Sequence, residues 1–409
     1  MNPTTSATSS TRNILRNKSF LYFCSARVSS TLAYQMLSVA IGWQMYALTK
    51  SAFYLGMVGL AQFLPMVLLT LVAGHVADRH NRRNIMGFCQ LFQAAGVLAL
   101  ALGSFYGFTS KESILLIALS LGAGRTFQMP AQQALLPLLV SAEEFPRATA
   151  IAASSMEAAA IFGPALGGLL YALGPGEVYS IITALFVLGA FFALFVKVQK
   201  LTNNREPATL KSLFAGINFI WMKKLILGAI SLDLFAVLLG GATALLPIYA
   251  AEILKVGPRG LGFLRAAPAI GALLTSVYLA RHPLKQRAGK TMFTAVIVFG
   301  IATLGFAVSK WFLVSLVMLI ILGAGDIISV VIRSSLVQLN TPDAMRGRVS
   351  AVNMMFIGTS NQLGEFESGV TAAWFGTVPS VVVGGLGTIV VALLWMRLFP
   401  DLTNADKLG

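Results

Sequence analysis

Nine ionisable residues lie inside long apolar stretches of this chain, where a membrane would exclude water: Arg27, Arg125, Glu157, Asp233, Arg265, Asp326, Arg333, Glu365 and Glu367. A charge at the centre of a bilayer costs roughly 2.5–3.5 kcal/mol or more, so each is expected to have a function or a buried partner. Carboxylates in such places can carry protons, because burial favours their neutral form. Guanidiniums can bind anions through paired hydrogen bonds.

Helical spacing places some of these charges beside other polar residues. Polar stripes run through Arg27, Thr31, Tyr34 and Ser38, through Arg125, Gln128 and Gln132, and through Asn361, Glu365 and Ser368. The third stripe favours Glu365 over Glu367 as the pore-facing carboxylate, since residues two apart point in nearly opposite directions. Asp233 has only apolar neighbours at this spacing, so any partner must come from another helix.

The signs of the charges favour an acidic ligand. Arg27 and Arg125 outnumber Glu157 in the first half, whereas a hydrophobic cation would prefer acids throughout its path. We therefore predict substrate-binding residues in the first half, namely Arg27, Tyr34, Arg125, Gln128 and Glu157, and proton-coupling residues in the second half, namely Asp233, Asp326 and Glu365. The alternative for each charge is a structural pair between helices, and Arg265 and Arg333 could also extend to a membrane interface.

Twelve apolar stretches must position these residues, each long enough to cross a hydrocarbon core about 30 Å thick. They lie near residues 20–48, 52–75, 84–107, 113–139, 147–173, 177–197, 225–251, 259–280, 290–308, 311–339, 347–376 and 378–398. Of the 30 Lys and Arg residues, 21 lie in the tails and alternate connections that would share one side, five in the other connections and four within spans. The basic side is predicted to be cytoplasmic, so we expect a protein of the bacterial inner membrane with both termini in the cytoplasm.

The composition excludes several other classes of protein. Only 11% of residues are charged, 56% are hydrophobic and the mean hydropathy is +0.78. The net charge of +15 is better explained by cytoplasmic loops facing anionic lipid than by nucleic-acid binding. The three His and two Cys are dispersed, and no nucleotide-binding GxxxxGK[ST] loop occurs. We therefore expect no metal, no cofactor, no enzymatic activity, no nucleic-acid partner and a monomer.

The chain repeats itself at a fixed offset of 201 residues. Gly122-Ala-Gly124 recurs as Gly323-Ala-Gly325, Arg147-Ala-Thr-Ala150 as Arg348-Val-Ser-Ala351, and Gly163 and Gly168 as Gly364 and Gly369. Two six-span halves related in this way place a ligand site at their interface near the bilayer midplane. The predicted bundles are residues 1–197 and 225–409, and residues 198–224 join them as a cytoplasmic linker.

The linker has apolar residues at helical spacing: Leu210, Leu213, Phe214, Ile217 and Trp221. This pattern favours a short amphipathic helix on the inner leaflet, with Trp221 at headgroup depth. A linker with only local helix is the alternative.

The connection after the second span contains Gly74, Asp78, Arg79, Arg82 and Arg83 in the order GHVADRHNRR. It resembles the signature loop of the major facilitator superfamily, G-x-L-A-D-R-x-G-R-K, and departs from it at Val76, Asn81 and Arg83. The resemblance implies a gating role, in which Asp78 accepts hydrogen bonds from arginines or faces a helix N-terminus. A basic loop that only sets topology is the alternative.

The fifth span contains Gly163, Pro164, Gly167 and Gly168, which resemble the G-P-x-x-G-G signature of exporters in that superfamily. Proline and glycine also allow a helix to bend and pack closely, so simple helix packing is the alternative. The run Thr341 to Val349 is similar to the same segment in the enterobactin-exporter branch. The resemblance covers essentially the whole chain. It implies twelve helices in two bundles and proton-driven export of a small amphipathic molecule, either an acidic metabolite such as a siderophore or a broad range of drugs.

Overall fold

The computed structural model describes residues 14–141, 143–197, 210–282 and 286–405, and its regular elements are helices. The first half contains α1 (Lys18–Thr49), α2 (Ala52–Arg79), α3 (Arg82–Tyr106), α4 (Lys111–Leu135), α5 (Phe145–Tyr171) and α6 (Pro175–Phe195). The connector helix is α7 (Leu210–Met222), and the second half follows with α8 (Lys224–Leu239), α9 (Leu246–Ile248), α10 (Gly257–Arg281), α11 (Ala288–Val308), α12 (Phe312–Leu339), α13 (Asp343–Phe375), α14 (Thr377–Leu398) and α15 (Pro400–Thr403).

Local sequence sets several helix ends. The Asn17 side chain caps α1 by accepting from the Phe20 amide at 3.2 Å. Ser110 begins α4 with a capping box in which it exchanges hydrogen bonds with Ser113. Gly107 ends α3 with a φ of 75°, a left-handed conformation that a residue without Cβ adopts at little cost. Residues close in sequence therefore specify these helix ends.

Twelve helices cross the membrane, as the sequence predicts. Among the described residues, ten helices are long and apolar enough to cross a membrane by length and composition alone. One of these ten runs from α8 through α9 to Ile253. The other two are α1 and α13, which have 32 and 33 residues and carry many polar side chains. Both line a cavity between the two halves, which we call the central cavity, and this accounts for their polar side chains.

The twelve helices form two bundles with the same internal packing. In the first half, α1 packs on α5 and α6, α4 on α2 and α3, and α3 on α6. In the second half, α8 packs on α13 and α14, α12 on α10 and α11, and α11 on α14. Between the halves the main contacts are α5 with α10 and α2 with α13, which are equivalent pairs. The pseudo-symmetry that the repeat predicts is therefore confirmed.

The repeated glycines make equivalent contacts. Gly122 of α4 lies against the backbone of Gln62 in α2, and Gly323 of α12 lies against the backbone of Pro268 in α10. A methyl group on either glycine would meet those carbonyl oxygens, so each position needs a residue without a side chain.

A second equivalent pair of glycine contacts joins the two halves. Gly168 of α5 crosses Gly262 of α10, where an added Cβ would come 2.8 Å from the Gly262 Cα. Gly369 of α13 crosses Gly56 of α2, with the corresponding separation at 2.6 Å. Both crossings lie nearer the bundle end where α1 ends and α2 begins, which we call the distal end. The opposite end, where α1 begins and α14 ends, is the proximal end.

The seventh span is interrupted. After α8 the chain passes through Gly240, Gly241 and a 3₁₀ turn (Ala242–Leu245), and after α9 it widens into a π turn (Tyr249–Ile253). Gly241 packs against the Gly364 carbonyl and Ser368 of α13, and Ala244 reaches the central cavity. Irregular backbone at membrane depth is thus enclosed by protein or borders a cavity, where its polar groups can be satisfied.

The connector helix α7 lies at the proximal end of the second half. Its Ile220 packs with Val349 and Val352 of α13, and Gly216 lies against the Arg348 backbone. Trp221 is 67% exposed. Residues 198–209 of the predicted linker lie outside the described residues.

Candidate functional site

A cavity of about 510 Å³ lies between the two halves. Helices α1, α2 and α4 line it from the first half, and Ala244, α10 and α13 line it from the second. Its walls combine apolar side chains, such as Leu55, Val58 and Ile357, with the polar side chains of Tyr34, Ser38, Gln62 and Asn361. The cavity can therefore hold an amphipathic molecule.

Three charged residues line this central cavity: Arg125, Arg265 and Glu365. The Arg125 guanidinium lies 4.0 Å from the centre of the Tyr34 ring, and Tyr34 donates a hydrogen bond to Gln62. Glu365 lies against Gly59 of the opposite half, with its Oε2 3.0 Å from where a Cβ on that glycine would be. Both arginines attract Glu365 electrostatically. Two guanidiniums and one carboxylate leave the cavity with an excess positive charge.

A second cavity, of about 210 Å³, lies within the first half and is called the side cavity. It brings together the polar stripes of α1 and α4, since Arg27, Thr31, Tyr34, Arg125, Gln128 and Gln132 all line it. The buried Gln128 accepts a 2.6 Å hydrogen bond from Gln93 and donates one of 3.3 Å to Ser30. Its amide is thus held in place, while Arg27 and Arg125 supply the charge.

Asp233 of α8 forms an ion pair with Arg333 of α12, and the two residues are 7% and 2% exposed. The alternative in which Arg333 extends to a membrane interface is therefore wrong, because its guanidinium is buried against a carboxylate. The same pairing supplies Asp233 with the partner from another helix that its apolar surroundings require. Asp326 borders a small cavity with Asp233, of about 10 Å³, and no described cation lies within ion-pair distance of it.

The structure does not bring every predicted residue to a cavity. Glu157 is exposed and lines neither the central cavity nor the side cavity, whereas the preceding residue, Met156, lines the side cavity, so the Glu157 side chain lies on a different face of α5. Glu367 lies two residues from Glu365 and also lines neither cavity, in agreement with the helical geometry. Arg265 lines the central cavity although it has no polar neighbours at helical spacing. In the sequence, only its charge within an apolar stretch indicates a functional role.

Asp78 and Arg79 lie in the last turn of α2, and His80 and Asn81 join α2 to α3 at the proximal end. Asn81 caps α3 through its side chain, accepting from the Arg83 amide at 3.2 Å, which accounts for Asn where the signature has Gly. Arg82 donates to the Ala134 carbonyl of α4, and Arg83 to the Val196 carbonyl after α6, each at 3.1 Å. Asp78 and Arg79 are exposed, and neither forms an ion pair with another described residue. In this conformation the arginines hold the loop within the first half.

The glycines of the fifth span have distinct contacts. Gly163 lies against Gln35 and Gly167 against the Met36 backbone, so both fit α5 against α1. Gly168 and the Pro164 carbonyl face Gly262 of α10. This segment therefore joins the two halves as well as packing its own bundle. Among the described residues, no group of three or more His, Cys, Asp or Glu side chains could hold a metal ion.

A family model described as "Transmembrane secretion effector" matches residues 9–408. The enterobactin exporter EntS of Citrobacter koseri is 27% identical over 387 residues, covering 92% of this chain and 91% of the relative. EntS of Escherichia coli K12 is 25% identical over 389 residues, covering 93% and 91%.

Two solved structures share the fold at low sequence identity. The nucleoside transporter NupG matches with a TM-score of 0.71 at 16% identity, covering 93% of this chain and 99% of that one. A bacterial homologue of the human lysosomal transporter Spinster, inward-facing and occupied, matches with a TM-score of 0.74 at 14% identity, covering 94% and 97%.

Proposed function

Because the chain belongs to the transmembrane secretion effector family of the major facilitator superfamily, we propose that it exports a small amphipathic, acidic metabolite such as a siderophore by proton antiport. It is a multi-pass membrane transporter and not an enzyme. The substrate, the coupling ion and the orientation in the bacterial inner membrane are the parts that we propose.

The observation that carries this proposal is the charge of the central cavity. Arg125 and Arg265 outnumber Glu365 there, and guanidiniums bind carboxylate, phosphate or catecholate oxygens in paired geometry. The apolar wall formed by Leu55, Val58 and Ile357 suits the body of an amphipathic molecule. The full-length similarity to proteins named enterobactin exporters supports a siderophore-like cargo.

The proposed orientation places the proximal end in the cytoplasm, because the connections and tails at that end carry most of the Lys and Arg residues. The two glycine crossings and the Tyr46–Glu252 hydrogen bond then join the halves towards the periplasm. An exporter in this conformation would take up cargo from the cytoplasmic side.

The proposed proton carrier is Asp326 rather than Glu365. Protonating Glu365 beside Arg125 and Arg265 would make the cavity more positive, so proton and anion would bind together, as in symport. Antiport requires binding of the proton to disfavour binding of the anion, which argues against a carboxylate whose protonation would attract the anion. Asp326 lies outside the central cavity, and Asp233 is already neutralised by Arg333.

The test is transport into proteoliposomes under an imposed pH gradient. Asp326→Asn is expected to abolish uphill accumulation of an acidic chelator and to spare downhill exchange, while Glu365→Gln should change affinity but retain coupling. Asp401→Asn, at an exposed position beyond α14, is the matched control. Uphill transport by a well-folded Asp326→Asn variant would contradict the assignment.

A broad-specificity multidrug antiporter is the second candidate, and Glu365 in the cavity wall is the observation that favours it, since a carboxylate there can bind an organic cation. Binding of an acidic chelator and a cationic dye to the purified protein separates the two candidates. Binding of the dye alone would support the second.

A further inference from the structure

We propose that the side cavity is an anion-binding subsite built by the first half alone, which holds an acidic group of the substrate while the rest occupies the central cavity. This inference rests on the proposed function, because it assigns a place to the acidic part of the exported molecule. The subsite would take a carboxylate, phosphate or catecholate group, which share two or more acidic oxygens.

The first argument is uncompensated charge. Arg27 and Arg125 both line the side cavity, and none of its lining residues is acidic. The Arg27 Nε, like the Arg265 Nε of the central cavity, is buried and has no hydrogen-bond partner among the described residues, although the Arg27 guanidinium lies 5.4 Å from the centre of the Phe23 ring. A buried donor without a partner is costly, so such a group normally meets a ligand or water.

The second argument comes from the equivalent place in the other half. An offset of 206 residues relates Leu55-Gly56 to Leu261-Gly262, and it also relates Arg27 to Asp233. The offset of 201 residues relates Arg125 to Asp326. Where the first half has two arginines, the second therefore has two aspartates.

The two equivalent places also differ in size and neutralisation. The second-half cavity measures about 10 Å³, room for about one water, and Arg333 neutralises one of its two carboxylates. The side cavity measures about 210 Å³, and no acidic residue in its lining neutralises Arg27 or Arg125. The fold thus tolerates either sign of charge at this place, and packing does not explain two arginines facing an open cavity.

The third argument is continuity with the central cavity. Tyr34, Gln35 and Arg125 line both cavities, so Arg125 stands at their junction. Arg27 lies seven residues before Tyr34 on α1, about 10 Å along the helix axis. A bound molecule can therefore place one end at Arg27, pass Arg125 and extend its body between the halves.

The test is equilibrium binding of phenyl phosphate to the purified full-length protein, with phenyltrimethylammonium as a cation of similar shape. Arg27→Gln is expected to weaken phenyl phosphate binding at least tenfold. Arg265→Gln, which removes a guanidinium from the opposite wall of the central cavity, should weaken it less than Arg27→Gln does. Arg259→Gln, which changes a guanidinium outside both cavities, is the matched control.

A second variant guards against misfolding of Arg27→Gln. Gln132→Glu adds a carboxylate to the side cavity with almost no change in shape, and it should reduce phenyl phosphate binding to a similar degree. Wild-type affinity in Gln132→Glu, or a loss in Arg265→Gln as large as that in Arg27→Gln, would overturn the subsite and leave acidic export standing. Wild-type protein that binds only phenyltrimethylammonium would overturn both.

Discussion

Removing one member of the buried ion pair between α8 and α12 is expected to destabilise the second half far more than removing both. Asp233→Asn leaves the Arg333 guanidinium, 2% exposed, without its carboxylate. Loss of one partner from a buried pair typically costs about 3–5 kcal/mol, because the remaining charge is left without compensation. Replacing both partners by apolar residues of similar volume is often neutral, since neither charge then needs to be desolvated.

The expected shift in unfolding temperature follows from the size of the unit. One kcal/mol corresponds to roughly 2–4 °C for a unit of 150–250 residues, so Asp233→Asn should lower the midpoint by roughly 6–20 °C. Asp233→Leu combined with Arg333→Met should unfold within about 3 °C of wild type, on the same scale. Arg397→Met, which removes an exposed guanidinium from α14, is the matched control and should have little effect.

The assay is thermal unfolding of each variant in one detergent, followed by transport measurements on the variants that fold. If the double variant is no more stable than Asp233→Asn alone, the pair does not act as a mutually compensating unit and the reasoning is refuted. If the double variant is stable but loses proton coupling, Asp233 replaces Asp326 as the proposed proton carrier.

Three further predictions concern the gate, the contact between halves and the central cavity. Asp78→Asn should reduce transport at least tenfold while leaving folded protein in the membrane, and normal export by this variant would remove its gating role. Gly262→Ala should impair transport, because the added Cβ would lie 2.6 Å from the Pro164 carbonyl oxygen. Gly347→Ala, which has open space around its added methyl group, should transport normally. Equal activity of the two variants would contradict the close-contact argument. Arg125→Lys should weaken binding of an acidic chelator at least tenfold, because the Lys ammonium lacks the planar fork of hydrogen-bond donors that a guanidinium has. Binding of a cationic dye should be unaffected. Equal losses for both ligands would indicate misfolding instead.

Much of the fold follows from the sequence, because hydropathy and charge patterns are local. Span positions depend on stretches of about 20 residues, and the repeat offset fixes the relation between Gly168 and Gly369 before any contact is known. Helical spacing also predicts which side chains of one helix share a face, and the structure brings the stripes through Arg27 and Arg125 together in one cavity.

The partners of individual charges depend on contacts between distant helices, which spacing within one helix cannot reveal. Asp233 and Arg333 are 100 positions apart, and nothing near either residue indicates the other. Glu157 has the residue type of a cavity carboxylate, but its side chain is exposed and lines neither cavity. Arg265 lies on a face without polar neighbours and still lines the central cavity, in a helix that packs closely on α5 at Gly262.

The close contacts at the two glycine crossings would let the crossings serve as pivots with long lever arms. From Gly168 back to Phe145, α5 extends about 35 Å, and α10 extends about 28 Å from Gly262 to Arg281. A rotation of about 10° at the crossing would move the far end of α5 by about 6 Å, while the crossing itself moves hardly at all. Backbones in direct contact need no side chain to change rotamer during such a rotation. A sub-ångström adjustment at the distal end can therefore open or close a passage wide enough for a small molecule at the other.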